Sequence, residues 1–494
     1  MNYRIFALSL AGCMLANGQG RPIDWPSYGN DAQRTGWEKS DVRITKDNVQ
    51  DFKLVLKRKL DNPRTGPHSL TPPVVLGLLI SYRGFKELAF LASSDRIWAI
   101  DADVDKIFWE KKFDVSGKSG ACAGGFATTP ALIPPINFGA RRPGMGAPRP
   151  AAPPAEAPPP TGRAIIGAAG GFGVPRPVFG VSSDGKVHLM NTSTGDDVAP
   201  PIQFLPAGSR TGGITVTDGT LYAATLPECG GGGVYALDLN SPEENPKIAS
   251  YPLSGGTVSD HGGLALGNGG TVYVQNGNTL LALAAKTLQK SDAYTMTDAG
   301  QSKSAATPVV FTQQGVEMIA TAGQDGRVYL FQGKSLGRPV YQSPVLATGP
   351  DAGIWGGLST WSDSAGTRWL LAPVWGKLND ELGLKADASH GSVVAFRVED
   401  KDGKPSLTPA WASRDMVSPE PPVTTGGIVF ALSTGGNSNA ILYAIDGATG
   451  KELYSSGTQV TAPGNRTGMT VANGRVFFTT TDNTLWGFGI YLER

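Results

Sequence analysis

The chain has 494 residues, with 43 lysines and arginines against 42 aspartates and glutamates. That balance leaves no electrostatic footprint for nucleic acid or for an anionic membrane. The 66 glycines and 37 prolines imply many turns and short segments, which favours an all-β chain over a helical one.

Residues 1–18 are expected to be an export signal. Arg4 supplies the positive end, and Ile5 to Gly12 form an apolar core too short to cross a membrane as a helix. Two processing points compete. Ala16-Asn17-Gly18 has the small-x-small pattern of the general signal peptidase. Leu10-Ala11-Gly12-Cys13 resembles a bacterial lipobox, which would make Cys13 a lipidated first residue and anchor the chain firmly if diacylated. The expected location is therefore the periplasm or cell envelope, with an outer-membrane lipoprotein as the lipobox outcome. No other segment could span a membrane.

Beyond the polar stretch WPSYGNDAQRTGW at 25–37, a short motif recurs: IWAID (97–101), VHLMN (187–191), VYALD (234–238), LLALA (280–284), VYLFQ (328–332), VVAFR (393–397), LYAID (442–446) and LWGFG (485–489). Each copy alternates in character and is rich in β-branched or aromatic residues, so it reads as a strand. Asp-Gly turns precede several copies and Thr-Gly-Lys turns follow some. A period of about 40–50 residues with four strands per unit predicts an eight-bladed β-propeller of four-stranded antiparallel blades. Stacked sandwich domains would repeat at about 100 residues instead.

The innermost strand of each blade is predicted in TPPVV (71–75), ATTPAL (127–132), GITV (213–216), GLAL (263–266), ATPVV (306–310), GLSTW (357–361), TTGGIVF (424–430) and MTVAN (469–473). Small residues suit the crowded inside of a ring. The last copy, LWGFG, has almost no chain after it. FKLVLKRKL at 52–60 has no blade of its own, so it is expected to pair with the final blade and close the ring, leaving no open sheet edge.

The opening WPSYGNDAQRTGW…ITKDNVQDFKLVLKRKL, followed by repeats of the type D-G-x-V-Y-A-L-D-x-x-T-G-K, resembles the pyrroloquinoline-quinone-repeat propellers. That superfamily includes quinoprotein alcohol dehydrogenases and an outer-membrane-assembly lipoprotein. The resemblance covers residues 25–494 as a single propeller, apart from a Pro/Ala-rich insertion. Residues 136–165 of that insertion cannot bury enough apolar surface to offset chain entropy and are expected to be disordered or polyproline II. For a dehydrogenase the resemblance implies pyrroloquinoline quinone with calcium, a carboxylate base, and a planar sandwich for the quinone. It also implies an adjacent cysteine pair, which this chain lacks. No C-x-x-C-H haem motif is present either.

Strand alternation puts the loop entering each inner strand on the same face as the turn between the two middle strands. Reading those loops gives the residues expected at the channel mouth: His68, Cys122, Arg210, Asp260 with His261, Lys303, Trp355, Arg414 with Asp415, and Arg466. Their long basic side chains suit a polar or anionic ligand, one with several carboxylates included. Asp260 and Asp415 are the candidate bases if the protein is an enzyme. Trp355, Trp361 and Trp375 could form a stacking plane, and the 376–390 loop with His390 could form a lid. The competing expectation is that these residues cap strands and join blades.

With Cys13 removed or lipidated, two thiols remain. Cys122 and Cys229 lie in loops of neighbouring blades on one face, and an exported chain meets oxidising conditions. A Cys122–Cys229 disulfide is expected. The sequence thus favours a monomeric, exported, non-catalytic propeller that binds a protein partner or a small polar ligand at its mouth. A quinoprotein dehydrogenase acting on an alcohol or sugar is the alternative.

Overall fold

The computed structural model describes residues 21–114, 128–134, 176–227, 231–241, 246–296, 305–333 and 336–490. Eight sheets follow one another around a ring, antiparallel except where Trp37–Glu38 joins blade 7 in parallel, and the chain is an eight-bladed β-propeller. Blade 3 shows the plan, with strands at Ile214–Thr217, Thr220–Thr225, Gly232–Asp238 and Ile248–Leu253 in order from the inside outwards. Each of the eight recurring motifs occupies the third strand of its blade, from Arg96–Asp101 in blade 1 to Thr484–Gly489 in blade 8. No helix among the described residues is long and apolar enough to cross a membrane.

These strands are apolar on both faces because each blade is sandwiched between two others. In Thr220–Thr225, Leu221 and Ala223 pack into the core shared with blade 2. Tyr222 and Ala224, pointing the opposite way, join the core shared with blade 4. The period-2 alternation of a strand thus feeds two separate cores.

Tight turns set the register between inner and second strands. Asp218–Gly219 in blade 3 and Asn473–Gly474 in blade 8 place two consecutive residues at positive φ, as a two-residue hairpin matched to strand twist requires. The same geometry corrects one expectation. TTGGIVF is not a single inner strand: Gly426 and Gly427, at φ +56° and +74°, divide it into Val423–Thr425 and Ile428–Ser433.

The ring closes as expected. Lys53–Lys59 is the outer strand of blade 8, antiparallel to Thr484–Gly489, with Leu56 buried against Gly487. Blade 6 departs from the plan. Its second strand, Arg368–Leu378, is long enough to pair with both Ala347–Ile354 and Ser359–Ser362.

The central channel is filled by the chain's own N-terminal segment. Trp25 exchanges backbone bonds with Val75 of blade 1, and the Pro26 carbonyl accepts from Leu132 of blade 2. The carbonyls of Ala32, Gln33, Thr35 and Gly36 accept in turn from Leu266, Val310, Thr360 and Thr424, on blades 4 to 7. The Asp41 carboxylate accepts from Gly474 N of blade 8, and the Arg34 guanidinium donates to Thr215 of blade 3. One segment therefore touches all eight blades. Arg34 is buried and also donates to the carbonyls of Leu264 (2.8 Å) and Tyr28. The space left beside it, bounded by Tyr28, Thr307, Leu358 and Met469, holds about one water molecule, too little for a ligand.

Candidate functional site

With the channel filled by this segment, the candidate site is its mouth, where the loops entering the inner strands converge. The plug reaches that end at Tyr28, whose ring lies edge-on to His261, 5.9 Å between centroids. His261 precedes the inner strand of blade 4, and its imidazole is nearly buried. Nδ1 lies 2.7 Å from Asp260 Oδ1, and Nε2 lies 3.0 Å from Glu420 Oε2 on blade 7. The other Asp260 oxygen faces His68 Nδ1 of blade 1 at 3.6 Å and Arg210 of blade 3 at 3.8 Å. Thr307 of blade 5 donates to the His261 carbonyl. Gly356 of blade 6 packs on the ring: a Cβ there would lie 3.0 Å from two imidazole carbons.

Electrostatics follow from this packing. Burial alone would push His261 down, but the Asp260 and Glu420 carboxylates overcome it and raise its pKa to about 10. Burial acts to raise Asp260, yet the charge and hydrogen bond of His261, with His68 and Arg210 beyond, hold it well below the ordinary carboxylate range. Burial lowers His68 against the pull of Asp260. At neutral pH His261 is a cation clamped between two carboxylates.

A second group adjoins the first. Trp355 and Trp375 stack with centroids 4.5 Å apart and planes at 21°. Trp375 Nε1 donates to the carbonyl of Pro419, next to Glu420, and the Arg466 guanidinium sits 5.3 Å from the Trp375 ring centre. His68 N donates to Asn465 O, which joins this group back to blade 1. His68 and Arg466 both hold positive φ, +62° and +52°, a costly conformation that the surrounding contacts maintain.

The structure therefore brings together seven of the sequence-predicted residues: His68, Arg210, Asp260, His261, Trp355, Trp375 and Arg466. It separates others. Arg414 turns outwards to Glu452, on the outer strand of blade 7, and lies over Tyr443. Asp415 binds exposed His390, 2.6 Å from Oδ2 to Nδ1, and hydrogen bonds from that residue hold its pKa down against the effect of burial. Trp361 is buried and stacks on Trp369 in the core between blades 6 and 7. Cys13, Cys122, Cys229, Lys303 and residues 136–165 lie outside the described residues.

Sequence reasoning missed Glu420 and Tyr28. Glu420 stands three residues before its inner strand, Val423–Thr425, a spacing close to that of His261 before Leu264–Gly267. That offset was the available signal, and Arg414 drew attention instead.

One constellation elsewhere resembles a hydrolytic triad: Ser182 Oγ lies 3.1 Å from His188 Nε2, and His188 Nδ1 lies 3.2 Å from Asp197. It is a turn brace. Ser182 also bonds Asp184 two residues on, as Thr480 bonds Asp482 in blade 8, and there Trp486 takes the position of His188.

Among the described residues no three His, Cys, Asp or Glu side chains are grouped to hold a metal ion. The Asp260 and Glu420 oxygens that a calcium would use already face imidazole and guanidinium nitrogens. The two indoles lie directly on each other, so no planar ring fits between them. The described residues of the mouth do not fit a calcium–quinone pair.

A family model described as outer membrane protein assembly factor BamB matches residues 388–490, the end of blade 6 and blades 7 and 8. No curated protein matches the sequence. Among solved structures, quinohemoprotein alcohol dehydrogenase from Comamonas testosteroni superposes with a TM-score of 0.59 at 15% identity, over 95% of this chain and 81% of that one. A europium-containing methanol dehydrogenase gives 0.55 at 14%, over 95% and 89%. BamB from Moraxella catarrhalis gives 0.46 at 14%, over 90% and 99%. At these identities the likeness concerns architecture. The strand-closed ring of eight blades is thus the architecture of the two dehydrogenase propellers, and the stretch 388–490 is similar to the assembly-factor family model.

Proposed function

We propose that this protein is an exported, non-catalytic binding scaffold whose channel mouth engages a polar or anionic group of a ligand or protein partner. The observation that carries this is the clamp on His261. A general base works best with a pKa near the operating pH. Asp260 and Asp415 are both held below the ordinary carboxylate range by histidine partners, so neither suits that task. His261 and Arg210 already face carboxylates, so the cation the mouth presents to a ligand is Arg466 on the Trp375 face, with the His261 clamp holding the surrounding loops in place. The match of blades 7 and 8 to an assembly-factor model supports a protein partner in the cell envelope. A lipid on Cys13 and a Cys122–Cys229 bridge belong to the same proposal.

The alternative is a quinoprotein dehydrogenase, favoured by the two solved dehydrogenases of like fold. One experiment separates the two. The purified protein is titrated with quinone plus calcium, and separately with citrate, while indole fluorescence and dye-linked oxidation of alcohols and sugars are followed. The scaffold reading expects citrate to change the emission of the Trp355–Trp375 pair, without dye reduction. Quinone-dependent dye reduction would overturn it, and unchanged emission with every polycarboxylate would remove the anionic-ligand half.

A further inference from the structure

The face opposite the mouth carries an apolar surface that the propeller does not use. In blade 1 the hairpin joining Val74–Ser81 to Gly84–Ala92 opens on that face. Its tip exposes Ile80 (66%), Tyr82 (82%) and Phe85 (71%). Val104, in the turn between Arg96–Asp101 and Lys106–Lys112 of the same blade, is 57% exposed, and Val42, beside the turn of blade 8, is 68% exposed. Arg475 joins these turns by bonding Glu87 and Asp103, so the exposed residues lie around one supported rim. Arg83 lies over the rings of Tyr82 and Phe108 and keeps its charge at the edge. Monomeric proteins rarely expose apolar side chains grouped in this way without an occupant.

The path of the N-terminus says what that occupant is. Ile23 packs against Gly77 of the same hairpin's inner strand: a Cβ at Gly77 would lie 2.3 Å from the Ile23 carbonyl oxygen. Asp24 accepts from Gly77 N, and Ile23 is also bonded to Asn473 in the turn of blade 8. Ile23 and Asp24, about ten residues after Cys13 in sequence, therefore lie against the strand that leads to the Ile80–Phe85 hairpin tip. A lipid on Cys13 would hold this face, and not the mouth, against a bilayer.

We infer that the Ile80–Phe85 hairpin docks on the lipid surface of the envelope membrane, with the mouth facing away from it. This rests on the exported reading above. Aromatic and branched side chains at such a tip enter the headgroup–acyl boundary, and the driving force is apolar burial, consistent with the chain's near-zero net charge.

The test uses the purified full chain carrying Cys13→Ser, which cannot be lipidated, and the same chain with Ile80→Ser, Tyr82→Ser and Phe85→Ser added. Each is sedimented with phosphatidylethanolamine–phosphatidylglycerol vesicles at low and high salt. The parent chain is expected to pellet with vesicles at both salts, because apolar docking is not screened. The triple variant should bind at least about tenfold more weakly, with unchanged near-ultraviolet circular dichroism. Equal binding by the two chains, or binding by neither, overturns the inference. So does a parent chain that is dimeric without vesicles and becomes monomeric on triple substitution, since a second copy would then be the occupant. Cell fractionation tests export separately: a vesicle-binding chain retained in the cytosol sinks the exported reading and leaves the lipid affinity standing.

Discussion

His261 Nε2 lies 3.0 Å from Glu420 Oε2, a contact between residues 159 positions apart that joins blade 4 to blade 7 across the mouth. With Asp260 on the other nitrogen, it makes the imidazole a charged tie across the ring.

This tie gives stability a defined pH dependence. The folded His261 pKa, about 10, lies above the ordinary 6.5. A raised value stabilises the fold fully below the unfolded pKa, and the benefit is lost as pH rises through the folded one. Urea midpoints should therefore fall between about pH 6.5 and 10. Glu420→Gln, which removes one of the two raising charges, should flatten that slope. Asp260 acts in the opposite sense: its depressed pKa gives stability that is lost as pH falls below the ordinary carboxylate range. Parallel slopes for wild type and Glu420→Gln would sink the assignment.

His261→Ala should destabilise by about 3–5 kcal/mol, because it leaves two carboxylates facing each other without their shared cation. His261→Lys should recover part of that loss. Thermal unfolding of both variants checks the order.

Arg34→Met removes the cation at the centre of the plug. The carbonyls of Leu264, Tyr28 and Gly262 lose their donor inside a sealed channel. The expected cost is about 3–5 kcal/mol, read from denaturant unfolding. Unfolding with an unchanged midpoint would show that the plug is not integral to the ring.

Leu56→Ala tests closure. Leu56 is buried in the core under blade 8 and lies on the strand that completes it. A loss of about 2–4 kcal/mol is expected, with increased aggregation as the edge of Thr484–Gly489 opens more often. Light scattering during mild heating reports the second effect.

The proposed Cys122–Cys229 pairing draws support from described residues close to each cysteine in sequence. Thr128 donates to the Thr211 carbonyl, and Leu226 N donates to the carbonyl of the adjacent Arg210. Mass spectrometry of unreduced peptides should recover the two cysteines in one linked species. Two free thiols would refute the bridge.

The sequence by itself determined the blades. VYALD, LYAID and their relatives specify strands through neighbours one and two positions away, and paired positive-φ residues such as Asn473–Gly474 place the hairpins locally. Eight such units imply a ring, and FKLVLKRKL had no other partner. The mouth was legible only as a set of loops. Which side chains turn inwards depends on packing across the ring: Arg414 found Glu452 on the outside, while Glu420, a few residues later, reached His261. The plug was not legible, because Trp25, Arg34 and Asp41 bond to residues that only the closed ring brings within reach. Local chemistry settles what each short segment becomes. Ring closure settles which distant charges meet, because Coulomb and hydrogen-bond terms act through space at a few ångströms, whatever the separation along the chain.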